Sequence, residues 1–190
     1  MNKILLFLLL ICSSGIEMSA QAVIDFQPKM LDKCIIKVFE QSEIKLEPLL
    51  PGKPEISEQL VNGLYYNIIS SDFEVIGYSY VGRANSCKIS GCDIKTDVIN
   101  ESGYEFFDYF ILYDTSVTVM KVKVFNYQST HGHEVTAEGW LKQFVGYNQE
   151  KSLDVGKEVD AISGATVTVD ALTFDVKRVT KLLNRWLRNE

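Results

Sequence analysis

Asp160-Ala-Ile-Ser-Gly-Ala-Thr166 is a run of one carboxylate, two hydroxyls, one isoleucine and three residues with little or no side chain, set between an acidic loop and a strongly periodic segment. In that segment Val169, Leu172, Val176, Val179, Leu183 and Trp186 recur at steps of three and four, the apolar stripe of an amphipathic helix. Thr166 therefore stands at the N-terminus of a helix predicted over Thr168 to Leu187. The first amides of a helix lack intrahelical acceptors, and with the helix dipole they suit an anion, phosphate above all. The hydroxyls of Ser163, Thr166 and Thr168 are predicted to cap those amides. Gly164 and Ala165 leave the backbone open, so another molecule can reach the Thr166 hydroxyl. The same residue types also make an ordinary capped turn.

Two other clusters have side chains that can do chemistry. Thr130-His-Gly-His-Glu134 places His131 and His133 two apart. On a strand they would share a face and could bind a metal, but Gly132 favours a turn and only Glu134 is at hand as a further ligand, so no metal is expected. Cys87-Lys-Ile-Ser-Gly-Cys92 is a short loop with glycine at its bend, predicted to close as a disulfide in an oxidising compartment. The alternative is a redox-active pair, with Arg83 four residues upstream able to lower a thiolate pKa. Cys34 is read as a small buried hydrophobe.

The Asp160 to Thr166 run resembles the flavinylation motif of the FMN-binding domain family, Asp-x-x-(Ser/Thr)-Gly-Ala-(Thr/Ser), without a gap. That family includes flavin-carrying subunits of the sodium-translocating NADH:quinone reductase and of the related Rnf electron-transport complex. Its order of features is also present here: Ile76-Gly-Tyr-Ser-Tyr-Val-Gly82, an antiparallel hairpin through Tyr127, the His-Glu segment, Trp140-Leu-Lys-Gln-Phe144, then the motif and a terminal helix. The resemblance implies FMN joined covalently as a phosphoester to Thr166 by a separate flavin transferase. It implies flavin contacts from Asp160, Ser163, Gly164, Ala165, Thr168, His131, His133, Glu134, Gly82 and Arg83. The family's Glu-Thr-Pro-Gly run after the His is replaced by Glu134-Val-Thr-Ala137. A four-residue cysteine spacing also stands beside the flavin in pyridine-nucleotide disulfide oxidoreductases, but in a different fold.

The rest of the chain supplies the framework around these residues. With 190 residues, one domain with a short leader is expected. Met1-Asn-Lys3 and the apolar run Ile4 to Ile11 read as the start of a signal peptide over residues 1–22, with Ala20-Gln-Ala22 as the best cleavage pattern. Lipidation of Cys12 is the alternative, weakened by the bulky Ile11 before it. Residues 23–70 are read as a helical region and a linker: Pro28 opens a helix with Leu31, Cys34, Ile35, Val38 and Phe39 on one face, and Pro48, Pro51 and Pro54 punctuate the stretch after it. Residues 71–190 are read as the FMN-binding domain. Strands are predicted at Phe73 to Val81, ending at Gly82-Arg83, and at Tyr109 to Tyr113 and Val117 to Tyr127, split by a turn at Asp114-Thr-Ser116. The fold class is α+β, a twisted antiparallel sheet with helices packed on one side and an amphipathic C-terminal helix after the motif.

A net charge of −6 with scattered lysines and arginines excludes a nucleic-acid surface. The expected function is an exported, periplasmic or cell-surface electron-transfer flavoprotein with redox protein partners at the membrane. Its alternatives are a flavin-dependent disulfide or small-molecule reductase using Cys87 and Cys92, and a noncovalent FMN-binding module. The chain is too short to add a nicotinamide domain, so reducing equivalents would come from a partner.

Overall fold

The computed structural model describes residues 23–49, 62–88 and 104–188. Helix α1 (Lys29–Phe39) is followed by strands β1 (Ile44–Pro48), β2 (Gly63–Ser70), β3 (Val75–Lys88), β4 (Tyr104–Tyr113) and β5 (Val119–Tyr127). The short helix α2 (Glu138–Leu141) and the long helix α3 (Thr166–Leu187) come next. The five strands form one antiparallel sheet in the order β1-β2-β3-β4-β5. The α+β class, the antiparallel sheet and the terminal helix are as the sequence implies. Among the described residues no helix is long and apolar enough to cross a membrane. The leader with Cys12 lies outside the described residues. So do Cys92 and the side chain of Cys87, and with them the expected disulfide.

Side chains alternate across a strand, so each strand feeds two faces. Tyr65, Tyr80, Ala84, Tyr109, Ile111 and Tyr113 point to one face, where α3 lays down Val169, Leu172, Val176, Val179 and Leu183. Tyr66, Ile68, Val81, Phe110 and Leu112 point to the other, where α1 contributes Leu31 and Ile35. Helices therefore cover both faces, not one as the sequence reading has it. The reason is α1, whose apolar stripe needs a surface of its own. Pro28 is the residue before α1 rather than its first, and its carbonyl accepts from the Leu31 N–H at 2.7 Å. Cys34 is half-buried against the second core.

The sheet also begins earlier and runs further than the sequence reading has it. β1 and β2 lie in the stretch read as helix and linker, yet β1 pairs with β2 and β2 with β3 in the same sheet. β3 passes through Gly82 and Arg83 to Lys88, because ladder bonds to β4 need backbone only and Arg83 finds a partner directly opposite, Asp108. Gly82 is a packing residue. It faces Gly63 across the β2–β3 ladder, and the phenol of Tyr80 lies over both; a Cβ at either would meet the Tyr80 hydroxyl at 2.2 Å. The Tyr80 ring has no room to yield, held between Tyr65 at 4.9 Å and Tyr109 at 5.7 Å between centroids. Gly82→Ala is accordingly expected to lower the urea midpoint, by about 1–3 kcal/mol of stability as for overpacked cores. A midpoint equal to that of the unsubstituted chain would show that the glycine serves something other than this notch.

Candidate functional site

Three phenols fix where α3 begins by gripping its middle. Tyr65 donates to the Val179 carbonyl at 2.6 Å, Tyr109 to the Asp175 carboxylate at 2.5 Å, and the Tyr113 hydroxyl lies 3.0 Å from Thr180 Oγ1. Asp175 is buried and also pairs with Arg178 at 2.5 Å. Burial pushes its carboxyl up, while the Arg178 guanidinium and the Tyr109 phenol pull it back. The same burial holds the phenols of Tyr65, Tyr109 and Tyr113 well above their ordinary range. These hydrogen bonds come from β2 and β4, so the sheet sets the axial position of the helix and hence of its first residue.

That first residue is Thr166, which is exposed. The residue before it, Ala165, is buried and offers only a methyl group, and no side-chain cap is made at this terminus. The expected capping by Ser163, Thr166 and Thr168 is thus not what the helix does. Ser163 is exposed, and Thr168 is turned inward against Gly132 and Tyr127. The first-turn amides are left without side-chain acceptors, which is the condition for holding an anion. Gly164 adopts φ +81, and a Cβ built on it would touch nothing within 4 Å. Residues 160–164 thus form an open approach to the Thr166 hydroxyl.

The histidine segment comes to the same end of α3. Gly132, at φ +83, packs so tightly that a Cβ would lie 2.6 Å from Thr168 Oγ1 and 3.1 Å from the Tyr127 hydroxyl. Tyr127 donates to the His131 carbonyl and stands edge-on to His133, ring centroids 5.3 Å apart. Its phenol is pushed up by burial. His131 turns the other way, its Nδ1 2.9 Å from Thr130 Oγ1, which in turn donates to Glu105. His131, His133 and Glu134 are all exposed. Among the described residues no three His, Cys, Asp or Glu side chains converge as a metal site would need.

α2 closes the remaining side. Lys121 on β5 ties it down through Glu138 at 2.7 Å. From it, Trp140 Nε1 donates to the Asp160 carbonyl at 2.9 Å, and from the turn just after it Gln143 Oε1 accepts from the Asp160 N–H at 2.8 Å. Four segments therefore meet around Thr166: residues 131–134, α2, residues 160–165 and the first turn of α3. Residues 103–187 match the family model described as the FMN-binding domain. That stretch of the chain is similar to an FMN-binding domain. No curated protein matches the chain.

The fold brings Asp160, Ser163, Gly164, Ala165, Thr166, Thr168, His131, His133 and Glu134 into one neighbourhood. Arg83 lies outside that neighbourhood. By alternation with Val81, Arg83 points to the α1 face, opposite α3. There it makes a bidentate pair with Asp108, at 2.6 and 3.0 Å, and stacks 3.6 Å from the Phe106 ring centroid. Gly82 is likewise inside the sheet, under Tyr80. Tyr127, Trp140 and Gln143 are the residues of the neighbourhood that composition does not single out. Trp140 and Gln143 are three apart, which puts them on one face of a helical turn, and that spacing was the available signal.

Proposed function

We propose that this FMN-binding domain carries its flavin covalently, as a phosphoester on Thr166, in an exported protein that passes electrons between redox partners at the membrane. The observation that supports it most is the Thr166 hydroxyl itself: exposed, first in an uncapped helix, and reached over Gly164, where the backbone is bare. The residues present fit the group. First-turn amides and the helix dipole suit the phosphate. Tyr127, His133 and Trp140 offer ring faces and edges beside it. Bound FMN supplies reversible one- and two-electron chemistry, which side chains lack.

Attachment must be driven. An ester formed from FMN itself would have to expel water, so the donor is a flavin dinucleotide whose anhydride breaks. The Thr166 oxygen forms the new bond to the flavin-side phosphorus, its proton passes to a base of a flavin transferase, and a nucleoside monophosphate leaves. The protein's part is to hold the hydroxyl accessible and the phosphate charge at the helix end. Export follows from the reading of residues 1–22 as a signal peptide. Coexpression with a flavin transferase tests the proposal: flavin fluorescence should stay with the chain on a denaturing gel. Flavin that binds the folded chain but is lost on denaturation would make this a noncovalent module instead.

A further inference from the structure

We propose that Trp140 and Gln143 are positioning residues that hold the 161–165 loop in the form from which Thr166 is esterified, an inference that rests on Thr166 being the acceptor. Both polar atoms of the Asp160 backbone are gripped from one helical turn, the carbonyl by Trp140 Nε1 at 2.9 Å and the N–H by Gln143 Oε1 at 2.8 Å. The grip is itself braced. Gln143 Nε2 donates to the Trp140 carbonyl at 3.1 Å, which orients the amide so that its oxygen faces Asp160. The Trp140 indole meets the buried Phe144 ring edge-on at 5.3 Å.

The other end of the loop is fixed by burial. Ala165 is 3 % exposed, its N–H donates to the Ile162 carbonyl at 3.0 Å, and its own carbonyl accepts from Val169 at 2.9 Å. Between the two anchors Ala161, Ser163 and Gly164 are exposed, and only Ile162 leans on the core. A short exposed segment of this kind loses its shape when one anchor goes, because nothing else offsets its backbone entropy. Reaction at an adjacent hydroxyl is sensitive to displacements of an ångström. Trp140 and Gln143 therefore act on Thr166 at a distance, through the backbone of Asp160.

The test uses Trp140→Phe, which keeps the ring and removes the N–H, Gln143→Ala, which removes the acceptor, and Gln143→Glu, which keeps an acceptor oxygen. Each full chain is incubated with a flavin transferase and a flavin dinucleotide. Rate of covalent incorporation, thermal midpoint and amide hydrogen exchange over residues 160–165 are measured. The inference expects Trp140→Phe and Gln143→Ala to incorporate flavin about tenfold more slowly. Gln143→Glu keeps the acceptor for the Asp160 N–H but loses the Nε2 donation to the Trp140 carbonyl, so its rate should fall between those of Gln143→Ala and the unsubstituted chain. Exchange should quicken in the loop alone, with thermal midpoints little changed. Incorporation at the unsubstituted rate in both loss variants, or slowing that merely tracks a fallen midpoint, overturns it. If the unsubstituted chain takes no flavin on Thr166, the acceptor reading fails. Loop exchange then judges the clamp separately: quickened exchange in the loss variants upholds it and unchanged exchange sinks it.

Discussion

Thr166→Ala is expected to abolish covalent flavin while leaving the fold in place. Thr166 is the exposed first residue of α3, so its hydroxyl contributes nothing to either core, and a methyl group occupies the same space. The ester cannot form without the oxygen. Thr166→Ser should keep the attachment, and Ser163→Ala should weaken it without abolishing it, since Ser163 lies on the approach and makes no cap. Denaturing-gel fluorescence and thermal unfolding of the three variants check this. Fluorescent Thr166→Ala protein after denaturation would mean that another residue is the acceptor.

The largest stability effect is expected on the opposite face of the sheet, at Asp108. Its carboxylate is 1 % exposed, bonds Arg83 through both oxygens, and accepts from Asn126 Nδ2 at 2.7 Å. Asp108→Ala removes two short charge-assisted bonds from a guanidinium that stays buried at 8 % exposure. Removing one partner of a buried pair costs about 3–5 kcal/mol. Denaturant unfolding should show a loss of that size. Flavin load per folded chain should be unchanged, because Arg83 lies on the face of the sheet opposite α3 and the proposed flavin site. Lost flavin with little lost stability would return Arg83 to the flavin site.

The contrast between Arg83 and Thr166 shows what a sequence can and cannot tell. α3 was legible because its stripe is a local signal: Val169, Leu172, Val176, Val179 and Leu183 are all fully buried and Trp186 nearly so. The start of the helix and the open backbone at Gly164 were legible for the same reason. β2 was not, since Tyr65-Tyr66 and Ile68-Ile69 are apolar pairs and a strand buried on both faces shows no alternation. Gly82 and Arg83 read as the end of a strand because their reasons for being inside one are distant. One is the ring of Tyr80 lying over its bare Cα; the other is a carboxylate 25 positions away. The absent caps teach a similar lesson, because Thr168 is drawn inward by Gly132 and Tyr127, residues that approach only once the chain has folded. At the candidate site, the motif was legible. The Trp140 and Gln143 grip on it was not, since it needs the tertiary arrangement of α2 against residues 160–165.

The most direct measurement is peptide mapping of the chain after coexpression with a flavin transferase. Trypsin cuts after Lys157 and Lys177, so the segment from Glu158 to Lys177 is released whole with Thr166 inside it. That peptide should carry flavin absorbance and the mass of one FMN less one water, with fragmentation placing the addition on Thr166. An unmodified Glu158–Lys177 peptide from protein that is yellow and folded would contradict the covalent assignment.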